Sequence, residues 1–391
     1  MRLLKRTWAD ISLDNLAHNY TVLREKVPKS CKFLGVVKAD GYGHGALPIS
    51  RRLKELGAEY LAVSNFEEAL QLRRGGLILP ILILGYTPPV YASDLADMGI
   101  VQEVHSLEYA KKLNKQMDGV GKRLKVHLKL DTGMSRLGFF AYDEPKTFDE
   151  LLHVAKLRHL CCEGIFTHFP SADSHDAADQ AFTRLQFERF TDMIDALKSA
   201  GVEFALRHCC NSAATILYPE FALDMIRPGI ATYGINPSNE LANDIALKPL
   251  MSLRTSISQI RDFHEGISVS YGRTYTTPTP RRIAVLCIGY ADGLPRRLSN
   301  NAAFLLRGKR VPVLGRICMD MCMIDVTEVP EAKVGDTVTV FGTDRDQTVS
   351  VEDMAAKLDT IPYELLCGIN KRTPRIYLDG EQRIVVLQYI V

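Results

Sequence analysis

"KFLGVVKADGYGHGALPISRRLKELG", residues 32–57, reads as three pieces in a row. The apolar run "FLGVV" is a buried strand, and Lys38 follows it directly. "ADGYGHG" cannot continue a strand, because glycine and turn formers crowd it. "ALPISRRLKELG" then places its apolar residues at helical spacing. The unit is therefore strand, glycine-rich loop, amphipathic helix, with an amine at the strand's end.

That unit recurs along the first part of the chain. Further strand windows are "YLAVSN" (60–65), "PILILGY" (80–86), "VQEVHS" (101–106) and "LKVHLKLD" (124–131). "CCEGIFTH" (161–168), "LRHCCNS" (206–212) and "LDMIRPG" (223–229) complete eight. Several are apolar on both faces, as parallel strands covered by helices are. Eight such units within about 240 residues fit a (β/α)8 barrel. A doubly wound open sheet gives the same alternation. Around Pro237, Ser238 and Asn239 the texture changes, which marks a linker. Beyond it, "SLRTSISQI", "RIAVLCIGY", "RVPVLGRICMDMCMIDV", "DTVTVFG" and "QRIVVLQYI" read as strands and turns, with helices only at "SVEDMAAKL" and "PYELLCGI". The expected division is a barrel over 1–239 and a mainly β domain over 240–391.

The composition excludes several classes. With 391 residues, 46% hydrophobic and 24% charged, the chain has the make-up of a soluble globular protein. A net charge of +2 points to neither a nucleic-acid nor a membrane-surface partner. The run "GGLILPILILG" is broken by Pro80 and is too short to span a bilayer. "MRLLKRTWAD" lacks a signal peptide's apolar core. Nine cysteines at irregular spacing, with no repeated CxxC, give no zinc motif and suit reduced thiols. The expectation is a cytoplasmic protein without a metal.

Barrel enzymes carry their working residues at the C-terminal ends of the strands. Those ends hold Lys38, Asn65, Tyr86, His105, Asp131 with Arg136, His168, Asn211 with Ser212, and Arg227 with Gly229. A lone histidine or arginine at a strand end is ordinarily a satisfied loop residue. One lysine, two histidines and two arginines on one rim are more informative. After strands seven and eight, "CNSAA" and "RPGIATYG" offer a hydroxyl and backbone amides where barrels commonly bind phosphate. A phosphate site and an amine on one rim describe a site for pyridoxal 5'-phosphate.

"VVKADGYGHG", "LKLDTGMSRLG", "GIFTHF", "RPGIATYG", "VSYGRTY", "IGYADG" and "LGRICMDM" closely resemble the motifs of bacterial alanine racemases, in that family's order from Trp8 to Tyr363. The resemblance implies a barrel followed by a β domain, pyridoxal phosphate as cofactor, and alanine interconverted between its L and D forms for peptidoglycan. Lys38 is then the Schiff-base lysine and the base for the D-substrate. Tyr271 is the opposite-face base and reaches the partner subunit's barrel, which implies a homodimer. A tyrosine in a strand is otherwise a half-buried packing residue. The resemblance links Tyr271 to His168 and His168 to Arg227. It sets Arg227 against the pyridine nitrogen, where a guanidinium, having no acceptor, leaves that nitrogen unprotonated. Arg136 and the Met319 N–H resemble the carboxylate clamp, and Lys129 is carbamylated in some members. Tyr42, Ser212, Gly229, Ile230 and Tyr363 resemble the phosphate cradle, and Tyr290 with Tyr363 narrows the entrance. For Asp320 a structural turn role stands beside a catalytic one. Ser135 and Pro362 sit where the motifs vary, which leaves substrate breadth open.

Three rivals remain. A barrel decarboxylase of basic amino acids has a glutamate where this chain has Arg227. A non-catalytic cofactor carrier lacks the β domain. A serine or broad-specificity racemase shares every motif and is the runner-up.

Overall fold

The computed structural model describes residues 6–142, 146–380 and 382–389. Half of the opening stretch 1–10 thus lies outside the described residues. The chain divides into two compact units. One comprises Leu16–Gly41 and Ala46–Lys248; the other joins the N-terminal residues up to Asn15 with Tyr42–Gly45 and the chain from Pro249 on.

The first unit is the barrel. Its strands are β1 (Lys32–Val36), β2 (Tyr60–Val63), β3 (Ile81–Ile83), β4 (Ile100–Val104), β5 (Leu124–Asp131), β6 (Leu160–Phe166), β7 (Leu206–His208) and β8 (Met225–Ile226). Neighbours pair in parallel from β8 through β1 to β7. Asp224 N donates to Arg207 O and Arg227 N to Cys210 O, which joins β8 to β7 and closes the ring. The barrel reading therefore holds over the open sheet. Each of the eight sequence windows contains a strand, but the windows overrun at the C-terminal ends. "LRHCCNS" is extended only over Leu206–His208, because Asn211 already caps the helix Ser212–Leu217 by accepting from Ala214 N.

Lys38 begins a turn with unusual backbone geometry. Ala39, Asp40, Gly41 and Tyr42 all have φ between 51° and 61°. For non-glycine residues that region costs roughly 1–2 kcal/mol each. The turn is held within the barrel unit by Gly41 N donating to Val37 O, Ala39 N to Glu68 Oε1, and Ala46 N to Asp40 Oδ1.

The second unit is built on a ten-stranded sheet. Thr337–Asp344, Ala303–Leu306, Lys309–Leu314, Cys322–Asp325, Arg281–Leu286 and Met251–Phe263 follow one another, and the last pairs back to the first. Thr7–Ser12 joins it, antiparallel to Met251–Phe263 and parallel to Arg375–Asp379. So the chain's first strand lies with the β unit, and the units meet at Lys248 and Pro249 rather than at 239 and 240. A hairpin of Ser268–Val269 and Tyr275–Thr276 projects from this sheet, seated where Val269 packs with Ile283 and Leu314. Among the described residues no helix is long and apolar enough to cross a membrane.

Candidate active site

In the barrel unit, some strand-end residues are taken up by the scaffold and others are not. Lys38 is half-buried, one residue beyond Val37, whose N–H still bonds to Ala62 O. Asn65 caps the helix Phe66–Arg74 through Glu68 N. His105 is tied to Glu103 Oε1 at 2.8 Å and stacks on Tyr109 at 4.8 Å; Tyr86 lies beside both rings. These three residues serve the scaffold. Asp131 folds the next loop, accepting from Gly133 N, Ser135 N and Arg136 N. That loop presents Arg136 exposed, and its guanidinium makes no hydrogen bond or ion pair among the described residues.

Arg227 is 4% exposed and is the best-anchored cation of this rim. Nη1 reaches His208 Nδ1 at 2.8 Å. Nη2 donates to Thr167 O at 2.8 Å and Cys209 O at 3.1 Å, with His168 Nδ1 at 3.5 Å. Among the described residues no protein acceptor faces its Nε–H. Burial lowers the guanidinium's pKa to about 10, which still keeps it charged at neutral pH. His168 is held well below the ordinary imidazole range, first by burial and then by Lys129, Arg227, Arg136 and Lys38. It is a neutral imidazole. The expected link between His168 and Arg227 is thus a long, weak contact.

Lys129 is buried on β5, with its ammonium 4.8 Å from the Phe166 ring centroid. Burial, then the charges of Arg227 and Arg136, bring its pKa down to about 7. Ser212 Oγ accepts from Gly229 N at 2.8 Å and Ala231 N at 3.2 Å. The Ile230 N–H between them, at the start of the turn Ile230–Tyr233, donates to no protein group among the described residues. Tyr233 OH in turn anchors Val36 O, just before the lysine.

The β unit carries the remaining positions. Tyr271 is 70% exposed at the tip of the hairpin, where Ser270, Gly272 and Arg273 all have positive φ. Met319 sits in the turn that splits "RVPVLGRICMDMCMIDV" into two strands. Tyr290 N donates to Cys318 O and Ala291 N to Met319 O, so the "IGYADG" and "ICMDM" turns lock together. Their approach requires Gly289, since a Cβ there would stand 2.4 Å from Cys318 O and Met319 O. Asp320 accepts from Arg372 Nη2 at 2.5 Å, and Arg372 Nε also bonds to the fully buried Asp292. Arg6 grips Asp292 too, so Asp320 belongs to a structural ion-pair network. Tyr42 is buried with its ring 6.0 Å from that of Tyr363, which lies on the helix Pro362–Cys367. Burial pushes the Tyr42 hydroxyl well above the usual phenol range, so it stays protonated and can donate.

Sequence reasoning missed the polar side chains inside the barrel. His127, His208, Glu163 and Glu103 are all on strands that read as apolar or alternating. Alternation along "LKVHLKLD" does group His127, Lys129 and Asp131, which was the available signal.

Comparison with known proteins agrees with this arrangement. The model of the alanine racemase N-terminal domain matches residues 11–237, and that of the C-terminal domain matches 250–377. Alanine racemase 2 of Caldanaerobacter subterraneus subsp. tengcongensis is 44% identical over 387 residues, covering 99% of this chain and 98% of its own. The solved alanine racemase of Clostridium difficile 630 superposes with a TM-score of 0.95 at 38% identity, over the whole of both chains. That of Bacillus anthracis, solved with bound L-Ala-P, has a TM-score of 0.93 at 34% identity, covering 100% of this chain and 99% of its own. With both domain models in sequence order and a full-length match in structure, the chain belongs to the alanine racemase family.

Proposed function

We propose that this chain interconverts L- and D-alanine with pyridoxal 5'-phosphate, as a cytoplasmic homodimer supplying D-alanine for peptidoglycan. The supporting observation is Arg227: a buried, anchored guanidinium whose Nε–H lacks a protein acceptor among the described residues, on a rim that also carries Lys38. The residues fit the cofactor. Within the barrel unit, Ser212, Gly229 and Ile230 supply a hydroxyl and amides suited to a phosphate; within the β unit, Tyr42 and Tyr363 supply phenol hydroxyls of the kind the family's phosphate cradle uses. When bound through Lys38, the cofactor supplies the electron sink that acidifies the substrate's α-proton.

Lys38 Nζ takes or returns that proton on one face, and Tyr271 Oη of a second copy does so on the other. Arg136 and the Met319 N–H hold the substrate carboxylate, which suits a guanidinium fork. Arg227 offers only donors, so it cannot keep a ring nitrogen protonated. His168, neutral and beside Arg227, would help hold the cofactor. Exposure of Tyr271, Met319, Met321 and Ile361 on the β unit supports a partner chain. Purified protein should racemise alanine faster than serine or lysine. Equal turnover of all three would move the assignment to a broad-specificity racemase, and no turnover of any would sink it.

Lys129 gives a separate prediction. With its pKa near 7, a large share of the amine is neutral above neutral pH. The neutral amine adds to carbon dioxide and loses one proton to water, leaving a carbamate beside Arg136. Protein equilibrated with 13C-bicarbonate at pH 8 should show one bound carbamate carbon, lost at pH 6 and absent from Lys129→Ala. A signal surviving that substitution would place the modification elsewhere.

A further inference from the structure

Behind Arg227 a line of polar groups runs into the barrel. Arg227 Nη1 meets His208 Nδ1 at 2.8 Å, and His208 Nε2 meets His127 Nδ1 at 2.8 Å. His127 Nε2 stands 3.6 Å from Glu163 Oε2, beyond hydrogen-bond length but within reach of the carboxylate's charge, and makes no hydrogen bond among the described residues. Glu163 also accepts from Tyr60 OH and from Lys125 Nζ, each at 2.5 Å.

Arg227 at one end of this line and Glu163 at the other favour the same proton order. A guanidinium only donates, so His208 Nδ1 must be bare. The single proton of a neutral His208 is then on Nε2 and points at His127 Nδ1, which must also be bare. His127 consequently carries its proton on Nε2, aimed at the Glu163 carboxylate. The opposite order would face two N–H groups at Arg227. Burial holds both imidazoles below the ordinary range, and Arg227 adds to this, consistent with one proton per ring.

The local backbone is shaped for this contact. Register between β5 and β6 shifts at this point: Val126 pairs with Cys162 and His127 with Gly164, which leaves Glu163 as the extra residue of a bulge. Bulges re-aim a side chain. Gly164 leaves room for the ring, since a Cβ there would stand 2.7 Å from His127 Cε1 and Nε2. Phe166 stacks on His208 at 4.9 Å and 8°, fixing its plane.

We propose that Glu163 is a positioning residue: its carboxylate charge, at the end of the line opposite Arg227, helps hold the proton order of His127 and His208 and so orients Arg227. Its effect on catalysis rests on the role proposed above for Arg227, whereas the proton order does not. Glu163→Leu removes the polar group; Glu163→Gln keeps a carbonyl oxygen's partial charge facing Nε2 and serves as the conservative variant.

The test is nitrogen NMR of 15N-histidine-labelled holoenzyme, assigned with His127→Gln and His208→Gln. Both rings should carry their proton on Nε2 in the parent and in Glu163→Gln. Glu163→Leu should gain the Nδ1–H form at His127 and lose about tenfold in kcat, with KM changed less than about twofold, the effect of losing one nearby charge. An Nδ1 proton or a doubly protonated ring in the parent would overturn the proposal even if Glu163→Leu failed to fold. Parent-like spectra in a folded Glu163→Leu would overturn it as well. An inactive parent with both protons on Nε2 would support the proton order and count only against the function reading.

Discussion

Lys38→Met should lower kcat for alanine racemisation by at least about a thousandfold, because it removes the amine proposed as both a base and the cofactor's anchor. The substitution isolates the amine. The backbone around it is fixed by groups other than the lysine side chain: Val37 N on Ala62 O, Gly41 N on Val37 O, Ala39 N on Glu68, and Tyr233 OH on Val36 O. Thermal unfolding should therefore stay within roughly 2 °C of the parent. Borohydride treatment followed by peptide mass spectrometry should find the cofactor fixed on the Lys38 peptide of the parent and on no peptide of the variant. A variant within tenfold of the parent would remove Lys38 from the chemistry and leave its strand-end position a matter of packing.

The barrel was legible because its strands obey a local rule. Runs such as "FLGVV" and "ILI" are buried on both faces, and a short apolar run between turn signals reveals that without any partner. Rim residues followed from the strand ends, and family motifs then separated Lys38 and Arg227 from Asn65 and His105. Thr7–Ser12 could not be placed that way. Its register, Ala9 with Leu253 on one side and Arg375 on the other, is fixed by residues over 240 positions away. The polar barrel interior was hidden for a related reason: His127 and His208 are tolerable inside because each supplies the other a hydrogen-bond partner at 2.8 Å, from strands far apart in the chain. The left-handed turn was illegible in a stricter sense. Nothing in the side chain of Ala39 prefers φ of 52°, so the turn persists only through anchors elsewhere.

Those anchors motivate the second large effect, at Arg375. Its side chain is fully buried and donates to four main-chain carbonyls: Gly43 from Nε at 2.9 Å, Asn370 and Thr373 from Nη1, and Ile369 from Nη2 at 2.7 Å. Tyr377 OH adds a bond to His44 O at 2.6 Å, and His44 Nδ1 lies 2.9 Å from Tyr42 O. Gly43 itself has φ of 78°, and a Cβ on it would stand 2.0 Å from Leu366 O. The segment Tyr42–Gly45 is thus bolted within the β unit, while the strained turn ahead of it leads back to Lys38. Arg375→Leu would leave buried carbonyls without donors, at about 1–3 kcal/mol each before repacking. A net loss of roughly 3–5 kcal/mol is expected from urea unfolding, with Arg375→Lys close behind, since one ammonium cannot replace the fork. Gly43→Ala should destabilise the same segment from the backbone side. Because relaxing the turn also frees Lys38, Arg375→Leu assayed well below its unfolding midpoint should lose kcat as well as stability. Parent-like stability would mean that the carbonyls find other donors and that Arg375 is not what holds the turn. A loss of stability with parent-like kcat would mean instead that the barrel's own bonds, from Glu68 and Asp40, suffice to hold the lysine.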